Sequence, residues 1–274
     1  MALYVNTNVS SLMAQTNLGT SSKAMSVSLQ RLSSGMRINS AKDDAAGLAI
    51  ASNMTSQIRG SNQAIRNAND ANSMAQTAEG VLGQIETNVQ RMRELAVQGA
   101  NSSVTTANRS QIVLEMNALG AENQRLISGS TFNGQTLLSS GAKTFRFQVG
   151  SGTKAADQIA MTIAAATFSM AAKNSITFGT KTNARSAMAA FDNDLKAIGN
   201  MRASLGAAQN RFDAVVSSLQ TFSDNMSASK SRITDADFAA ETATLTRNQI
   251  IQQAGTAMLS QANQQPQAAL SLLK

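Results

Sequence analysis

Apolar residues recur along this chain in alternating steps of three and four positions, the spacing that is typical of a coiled-coil seam. In the first half of the chain the seam comprises Ala75, Ala78, Leu82, Ile85, Val89, Met92 and Ala96. In the second half it comprises Met201, Leu205, Ala208, Phe212, Val215, Leu219, Phe222, Met226 and Ile233. Because neither segment can cover its own seam, we expect the two helices to pack on each other.

Residues that break helices are rare in the first half. The chain has a single proline, Pro266, so no proline interrupts the span from Ser40 to Gly99. A continuous helix over this span would be about 85–90 Å long at a rise of 1.5 Å per residue. This length favours a rod. A second helical segment is predicted from about residue 105 to residue 128.

A period of two follows the turn residues Asn133 and Gly134, which is the pattern of strands. The alternating apolar residues are Phe145, Phe147, Val149, Ile159, Met161 and Ile163. They predict a β-hairpin with a long loop. Residues 164–182 show no persistent period, and we expect them to form a short, variable connection before helical character resumes near Asn183.

Lys42, Asp43 and Asp44 lie together in the stretch "LQRLSSGMRINSAKDDAAGLAIA", where paired carboxylates could belong to an acid/base or metal site. A helix start explains them without a substrate. Ser40 can cap a helix, Asp43 can reach back to it as in a capping box, and both aspartates would then lie in the first turn, which favours negative charge. The catalytic alternative needs partner acids brought close in three dimensions.

Both ends of the chain carry narrow apolar stripes on a polar background that is rich in amides. The stripe residues are Val5, Val9, Leu12, Leu18, Met25, Leu29 and Leu32 at one end and Leu245, Ile251, Met258, Leu259, Leu270 and Leu273 at the other. Isolated helices with so little apolar surface to bury are marginal in water. We therefore expect the ends to pack on each other and on neighbouring subunits.

Composition narrows the possible chemistry. The 274 residues include no Cys and no His, which excludes thiolate nucleophiles, Ser-His-Asp triads and ordinary zinc sites. We predict no enzyme activity and no cofactor.

The net charge of +7 is compatible with nucleic-acid binding, but aromatics make up only 4% of the chain, too few for base stacking. We expect a solvated basic surface, no nucleic-acid partner and no membrane insertion. The N-terminal segment is too polar for a signal-peptide core, so we expect export by another route.

Four stretches carry a resemblance to a known family: "LQRLSSGMRINSAKDDAAGLAIA", "QRMRELAVQGAN", "STFNGQTLL" and "SRITDADFAAETATLTRNQIIQQAGTAMLSQANQQPQAALSLL". They strongly resemble bacterial flagellin over residues 2–163 and 183–274. The resemblance implies a mainly α fold, in which N- and C-terminal segments form a long antiparallel coiled-coil or helical-bundle rod with a small β-hairpin region. It also implies a structural subunit that self-assembles into the flagellar filament.

The resemblance further implies three parts of the chain. Residues 1–38 and 236–274 would form a terminal coiled-coil domain that lines the inner tube of the filament. Residues 39–163 and 183–235 would form the helical rod with its hairpin. Residues 164–182 would stand where longer members insert outer domains, which makes this chain a short flagellin with the core domains only.

Partners are implied in the same way. They are other flagellin subunits, an export chaperone, and filament cap and junction proteins, with unfolded export through the flagellar type III apparatus. The innate-immune flagellin receptor would contact Arg91, Leu95 and Glu115; packing and solvation between subunits is the alternative role for these residues. The alternative function is a hook–filament junction protein of the same fold, which would assemble into a short zone instead of a long filament.

Overall fold

The computed structural model describes residues 7–173, 175–177 and 180–271, with side chains up to residue 264. The helices in these ranges are α1 (Val9–Ser34), α2 (Ala45–Gly99), α3 (Thr106–Gly129), α4 (Lys181–Thr234) and α5 (Phe238–Ser271). The strands are β1 (Thr131–Phe132), β2 (Gln135–Thr136), β3 (Lys143–Gln148) and β4 (Gln158–Ile163). The predicted mainly α fold with a small β-hairpin region is confirmed.

The chain divides into two compact units. Residues up to 56 and residues from 225 onward belong to the first unit, and residues 57–224 form the second. The predicted boundaries at residues 38 and 236 lie inside the first unit, so the finer division into an inner-tube domain and a rod domain stays a prediction.

The core of the second unit contains the predicted seam of α2. All seven of its residues, from Ala75 to Ala96, are buried. On α4 the buried residues begin earlier than predicted, because Phe191 and Ile198 extend the seam towards the start of that helix. The prediction is wrong at Phe222, which is exposed; Ser223 occupies the buried position and its Oγ donates to Asn62 Oδ1 at 3.2 Å. An α-helix has 3.6 residues per turn, so a seam spaced by 3.5 drifts around its surface.

Charged contacts along α2 and α4 show that these helices run antiparallel. Arg93 pairs with Asp192 through an Nε–Oδ1 distance of 2.6 Å, and Arg202 reaches Glu86 through an Nη1–Oε2 distance of 2.5 Å. Residues late in α2 thus meet residues early in α4. The expected packing of the two seam helices is therefore found within the second unit.

The two small sheets follow the sequence pattern. β1 and β2 are joined by Asn133 (φ 49°) and Gly134 (φ 77°), the left-handed pair that a two-residue hairpin turn requires. β3 and β4 pair antiparallel, with Phe147 opposite Ile159. The ring of Phe147 meets the ring of Phe212 edge-to-face at a centroid distance of 5.6 Å, which packs the hairpin on α4.

In the first unit, α1 ends next to the junction between α4 and α5. Gly35 adopts a left-handed conformation (φ 69°) that terminates α1. The amide of Arg37 donates to the carbonyl of Thr234 at 2.7 Å, and the amide of Ala236 donates to the carbonyl of Gly35 at 3.0 Å. We call this pair of backbone hydrogen bonds the clasp.

Candidate assembly surfaces

Helices α1 and α5 pack side by side in antiparallel orientation within the first unit. Asn8 Nδ2 donates to the carbonyl of Ala262 at 2.7 Å, and at the other end of the pair Arg31 lies 3.6 Å from Glu241. Asn8 also caps α1, because its side chain accepts a hydrogen bond from the amide of Ser11 at 3.1 Å. These contacts fix the register of the two helices.

The seam between α1 and α5 is rich in polar and small residues. On α1, buried or half-buried positions that follow steps of three and four are Ser11, Ala14, Leu18, Ser21, Met25, Ser28 and Leu32, and Ala24 and Arg31 beside them are also half-buried. On α5 the corresponding positions are Glu241, Leu245, Asn248, Gln252, Gly255, Leu259 and Ala262, and Thr242 and Thr244 are also half-buried. A seam with so many serines, amides and small residues buries little apolar surface. The α1–α5 pair therefore gains less from burial than an all-leucine seam would.

Two side chains at this seam hold buried nitrogen atoms without partners. Asn248 is 9% exposed, and its Nδ2 meets no hydrogen-bond acceptor among the described residues. The Nε of Arg31 likewise meets no acceptor in that part of the chain. A buried, unpaired donor costs about 1–3 kcal/mol. The seam is thus weakened twice, by small apolar area and by unsatisfied polar groups.

Large apolar side chains of the same helices are exposed. They are Val9, Leu12, Met13, Val27 and Leu29 on α1 and Phe238, Ile250, Ile251 and Met258 on α5. Val9, Leu12 and Met13 share one face through their i, i+3, i+4 spacing, and Ile251 and Met258 are related by i, i+7. We call these two groups the α1 face and the α5 face.

The predicted terminal stripes therefore separate into two groups. Leu18, Met25, Leu32, Leu245 and Leu259 are half-buried in the α1–α5 seam, whereas Val9, Leu12, Leu29, Ile251 and Met258 are exposed. Val5 and Leu273 lie outside the described residues, and the side chain of Leu270 lies outside the described side chains. Sequence spacing did not separate the groups, because the seam uses serine and asparagine where a core would use leucine.

The start of α2 differs from the prediction. The helix begins at Ala45, and Asp44 caps it by accepting a hydrogen bond from the amide of Gly47 at 2.8 Å. The predictions that Ser40 caps this helix and that Asp43 and Asp44 lie in its first turn are therefore wrong. Asp43 does reach back to Ser40, whose amide and hydroxyl donate to its Oδ2 at 2.9 and 3.0 Å. Ser40 and Asp43 form a turn ahead of the helix, because Asp44 lies directly before the helix and its carboxylate meets the free amide of Gly47.

The three residues assigned to receptor contact lie in two different environments. Arg91 and Glu115 are exposed and joined by an ion pair of 3.0 Å between α2 and α3. Leu95 is 2% exposed and lies in the core of the second unit, which argues against direct contact of its side chain with a receptor. Leu95 comes three residues after the seam residue Met92, and that spacing turns it into the interior.

Two buried polar side chains, Asp194 and Asn123, and the half-buried Asn117 hold the connection that follows β4. Asp194, on α4, is 4% exposed; its carboxylate accepts hydrogen bonds from the amides of Ser169, Met170 and Ala171 at 2.8, 2.9 and 2.8 Å. The Nδ2 of Asn123 donates to the carbonyl of Ala171 at 2.7 Å.

Farther along the connection, Asn117 donates to the carbonyl of Ile176 at 3.4 Å and accepts from its amide at 2.7 Å. These asparagine and aspartate partners were not predicted. Their sequence signal was only a polar residue at a position where the helical period called for an apolar one.

Hydrogen bonding lowers the pKa of several surface carboxyl groups. The backbone and hydroxyl of Ser40 lower the pKa of Asp43 below its ordinary value. The guanidinium of Arg93 lowers the pKa of Asp192, and the hydroxyl groups of Ser231 and Thr234 lower that of Asp235. Each of these carboxylates is stabilised in its charged form by the fold.

The described residues contain no group of three or more Asp, Glu, His or Cys side chains arranged to hold a metal ion. In the same part of the chain, no helix combines the length and the apolar character that crossing a bilayer would take.

Two family models match the chain. The model of the bacterial flagellin N-terminal helical region matches residues 5–144, and that of the bacterial flagellin C-terminal helical region matches residues 188–273. In solved structures, a crystal structure of Bacillus cereus flagellin aligns at a TM-score of 0.46 and 25% identity, over 60% of this chain and 94% of that one.

Full-length relatives agree with the family models. Flagellin of Halalkalibacterium halodurans is 42% identical over 275 residues, covering 99% of this chain and all of that protein. The flagellar filament 33 kDa core protein of Treponema phagedenis is 37% identical over 99% of this chain and all of that protein. Flagellin B of Vibrio cholerae is 34% identical along the full length of both chains, in an alignment of 375 positions.

These matches cover both helical ends and nearly the whole length, and they favour a filament subunit over a hook–filament junction protein. The chain belongs to the bacterial flagellin family, a family of structural proteins and not of enzymes, and is a short-form subunit that self-assembles into the flagellar filament.

Proposed function

We propose that the α1 face and the α5 face are the surfaces through which subunits of this flagellin pack on one another. The observation that carries the proposal is the exposure of large apolar side chains on two helices whose own seam is polar. Contiguous apolar surface on a soluble protein marks a site of interaction. A second copy is the occupant that self-assembly supplies.

The energetics support this assignment. Covering one large apolar side chain contributes about 1.5–3 kcal/mol, and Val9, Leu12, Ile251 and Met258 are all available for covering. Repeated over many identical subunits, such contributions outweigh the entropy of ordering the helices. The weak α1–α5 seam, in contrast, leaves the isolated subunit with little to hold these helices in place.

Charge substitution tests the proposal. Leu12→Glu and Ile251→Glu place a carboxylate where apolar contact is needed, so purified subunits should stay in the supernatant after high-speed sedimentation. Gln15→Glu and Gln253→Glu add the same charge at exposed polar positions of the same helices and should assemble normally. Filaments of normal length from both apolar variants would contradict the proposal.

We also propose the finer division of the chain into an inner-tube domain (1–38 and 236–274), a rod domain (39–163 and 183–235) and a connection (164–182) in place of outer domains. The longer Vibrio cholerae alignment supports this, since a relative of the same family extends over 375 aligned positions. A helical reconstruction of the filament tests it. Finding residues 1–38 at outer radius would overturn it.

Export and receptor contact are further parts of the proposal. The subunit would leave the cell unfolded through the flagellar type III apparatus, aided by an export chaperone and received by the cap and junction proteins. Cells that lack the flagellar export ATPase should then retain it. Secretion at an unchanged level would contradict this route.

A host innate-immune receptor would contact the exposed Arg91–Glu115 pair. Arg91→Ala should lower activation of a receptor reporter by purified subunits. Arg125→Ala, which breaks a similar exposed pair with Glu122 on α3, is the matched control and should leave activation unchanged. Equal activation by wild type and Arg91→Ala would remove this contact from the proposal.

A further inference from the structure

Methionine is the principal oxidisable side chain of this protein. The sequence contains 14 methionines, no cysteine, no tryptophan, no histidine and one tyrosine. Hydrogen peroxide, which removes two electrons from sulfur, therefore meets sulfur only as thioether groups in this chain. A thioether reacts to give methionine sulfoxide, which replaces a flexible apolar side chain with a polar one.

The described methionines range from fully buried to about two-thirds exposed. Met13 is 67% exposed and Met258 is 65% exposed. By comparison, Met92, Met116 and Met161 in the core of the second unit are at most 1% exposed. An oxidant in solution can reach the first two side chains directly, whereas the core methionines become accessible only when the fold opens.

The two most exposed of these methionines both lie on proposed assembly faces. Met13 follows Leu12 on the α1 face, and Met258 lies two turns from Ile251 on the α5 face. Neither belongs to the α1–α5 seam, so oxidation need not disturb the packing of the subunit itself. Oxidation would change only the surface presented to the next copy.

We propose that Met13 and Met258 are oxidation sites of the unassembled subunit, and that their conversion to sulfoxide prevents incorporation into the filament. This inference rests on the proposed function of the α1 and α5 faces. The sulfoxide oxygen is a strong hydrogen-bond acceptor, and an apolar contact would bury it without a donor. Subunits already in the filament are protected, because their neighbours cover both side chains.

The chemistry balances with hydrogen peroxide as the oxidant. The thioether sulfur attacks one peroxide oxygen, and the O–O bond breaks as the S–O bond forms. The departing hydroxide takes the proton from the new S–OH group and leaves as water. Sulfur loses two electrons and the peroxide gains them. A methionine sulfoxide reductase reverses the change.

The test compares full-length monomers with preformed filaments, both treated with hydrogen peroxide and quenched with catalase. Peptide mass spectrometry should show Met13 and Met258 oxidised at least about tenfold faster than Met92 and Met116 in the monomer. Oxidation at both positions should fall in the filament. Equal rates at Met13 and Met258 in monomer and filament would overturn the inference.

Assembly of the treated protein gives the second readout. When partially oxidised wild-type subunits polymerise, sulfoxide at Met13 and Met258 should be depleted from the pellet, and treatment with reductase should restore assembly. The Met13→Leu/Met258→Leu variant, which keeps apolar volume, should assemble after the same peroxide dose. Met36→Leu removes a less exposed methionine outside both faces and should give no protection.

Failure of this inference differs from failure of the proposed function. If untreated Leu12→Glu and Ile251→Glu assemble normally, the faces themselves are misassigned. If those variants do not assemble but oxidised wild type enters the pellet as readily as unoxidised protein, the assignment of the two faces is supported. The proposal that oxidation blocks assembly is then refuted. Circular dichroism on each treated sample shows whether loss of assembly follows from unfolding, and a loss of helix equal to the loss of assembly would also refute it.

Discussion

At the scale of single residues, Asp194 explains how an aperiodic segment acquires a fixed backbone. Its buried carboxylate accepts hydrogen bonds from three consecutive amides of the connection, and the hydroxyl of Ser169 adds a fourth at 3.1 Å. A carboxylate that meets several amides takes the place of the strand or helix partners that this segment lacks. The order of Ser169, Met170 and Ala171 therefore depends chiefly on one side chain of α4.

Asp194→Ala should destabilise the protein strongly. It leaves three amides of the connection without their acceptor, and hydrogen bonds to a charged group contribute about 1.5–3 kcal/mol each, so we expect a loss of at least about 3 kcal/mol. Denaturant unfolding monitored by circular dichroism measures it. Asp224→Ala, at an exposed position of the same helix, should change stability little. A loss below about 1 kcal/mol would count against this role.

The surface carboxylates predict the response to acid. The pKa of Asp192 is lowered below its ordinary value of 3.8 by Arg93, so its contribution is fully present above pH 3.8 and is lost as the pH falls through the lowered pKa. The denaturant concentration at the midpoint of unfolding, measured from pH 2 to pH 6, should decrease at the acid end of this range. Asp192→Asn should flatten that fall, and an unchanged pH profile would show that the ion pair is not stabilising.

Residues of this kind mark the limit of the sequence-based prediction. The α2 seam was predicted because apolar spacing survives in any context, and the Asn133–Gly134 turn because its dihedral angles favour those residue types. Asp194, Asn117 and Asn123 could not be predicted, because their partners are backbone atoms 23 to 59 residues away. Leu95 was assigned by resemblance to a contact role that its burial argues against.

At the scale of elements, helices α1 and α5 reverse the usual arrangement in which apolar residues are buried and polar residues are exposed. The surface they share is rich in serine and amides, whereas the large apolar residues of the α1 and α5 faces point outward. The sequence identified the apolar stripes but could not say which residues lay inside the pair. Polar contacts identify the surface that the two helices share. Across it, Asn8 donates to Ala262, Ser11 to Asn263 and Ser21 to Asn248.

Asn248→Leu should stabilise the α1–α5 pair in the isolated subunit. The substitution removes a buried amide nitrogen that lacks a described acceptor and adds apolar surface at the seam, for a gain of about 1–2 kcal/mol. Slower hydrogen exchange of the backbone amides in α1 would report this stabilisation. Gln249→Leu replaces an amide side chain by leucine at the exposed neighbouring position and should not slow exchange. Equal exchange in both variants would show that Asn248 is not a weak point of the seam.

At the scale of the whole molecule, helix formation at one end of the chain depends on the other end. Helix α1 has 26 residues and α5 has 34, and the two pack on each other although they lie at opposite ends of the chain. An isolated helix of such composition is marginal in water. The free energy that orders both ends therefore comes from their pairing and from other subunits.

Deletion of residues 236–274 should remove more helix than the deleted residues contain. Far-UV circular dichroism should show the loss of α5 together with most of α1, about 60 residues in all if α1 melts completely. Sedimentation should show no filament. If the truncated protein loses only the signal of α5, or still polymerises, α1 is independently stable and the mutual dependence proposed here is wrong.

The clasp has a consequence for how such chains can change in length. Because backbone hydrogen bonds hold Arg37 to Thr234 and Ala236 to Gly35, the chain leaves and re-enters the terminal helix pair at neighbouring points. Extra residues in the connection between β4 and α4 are distant along the chain from both points, so they leave the entry and exit positions where they are. A gene for such a subunit can therefore gain or lose a whole surface domain in one step, while the terminal helix pair keeps its sequence.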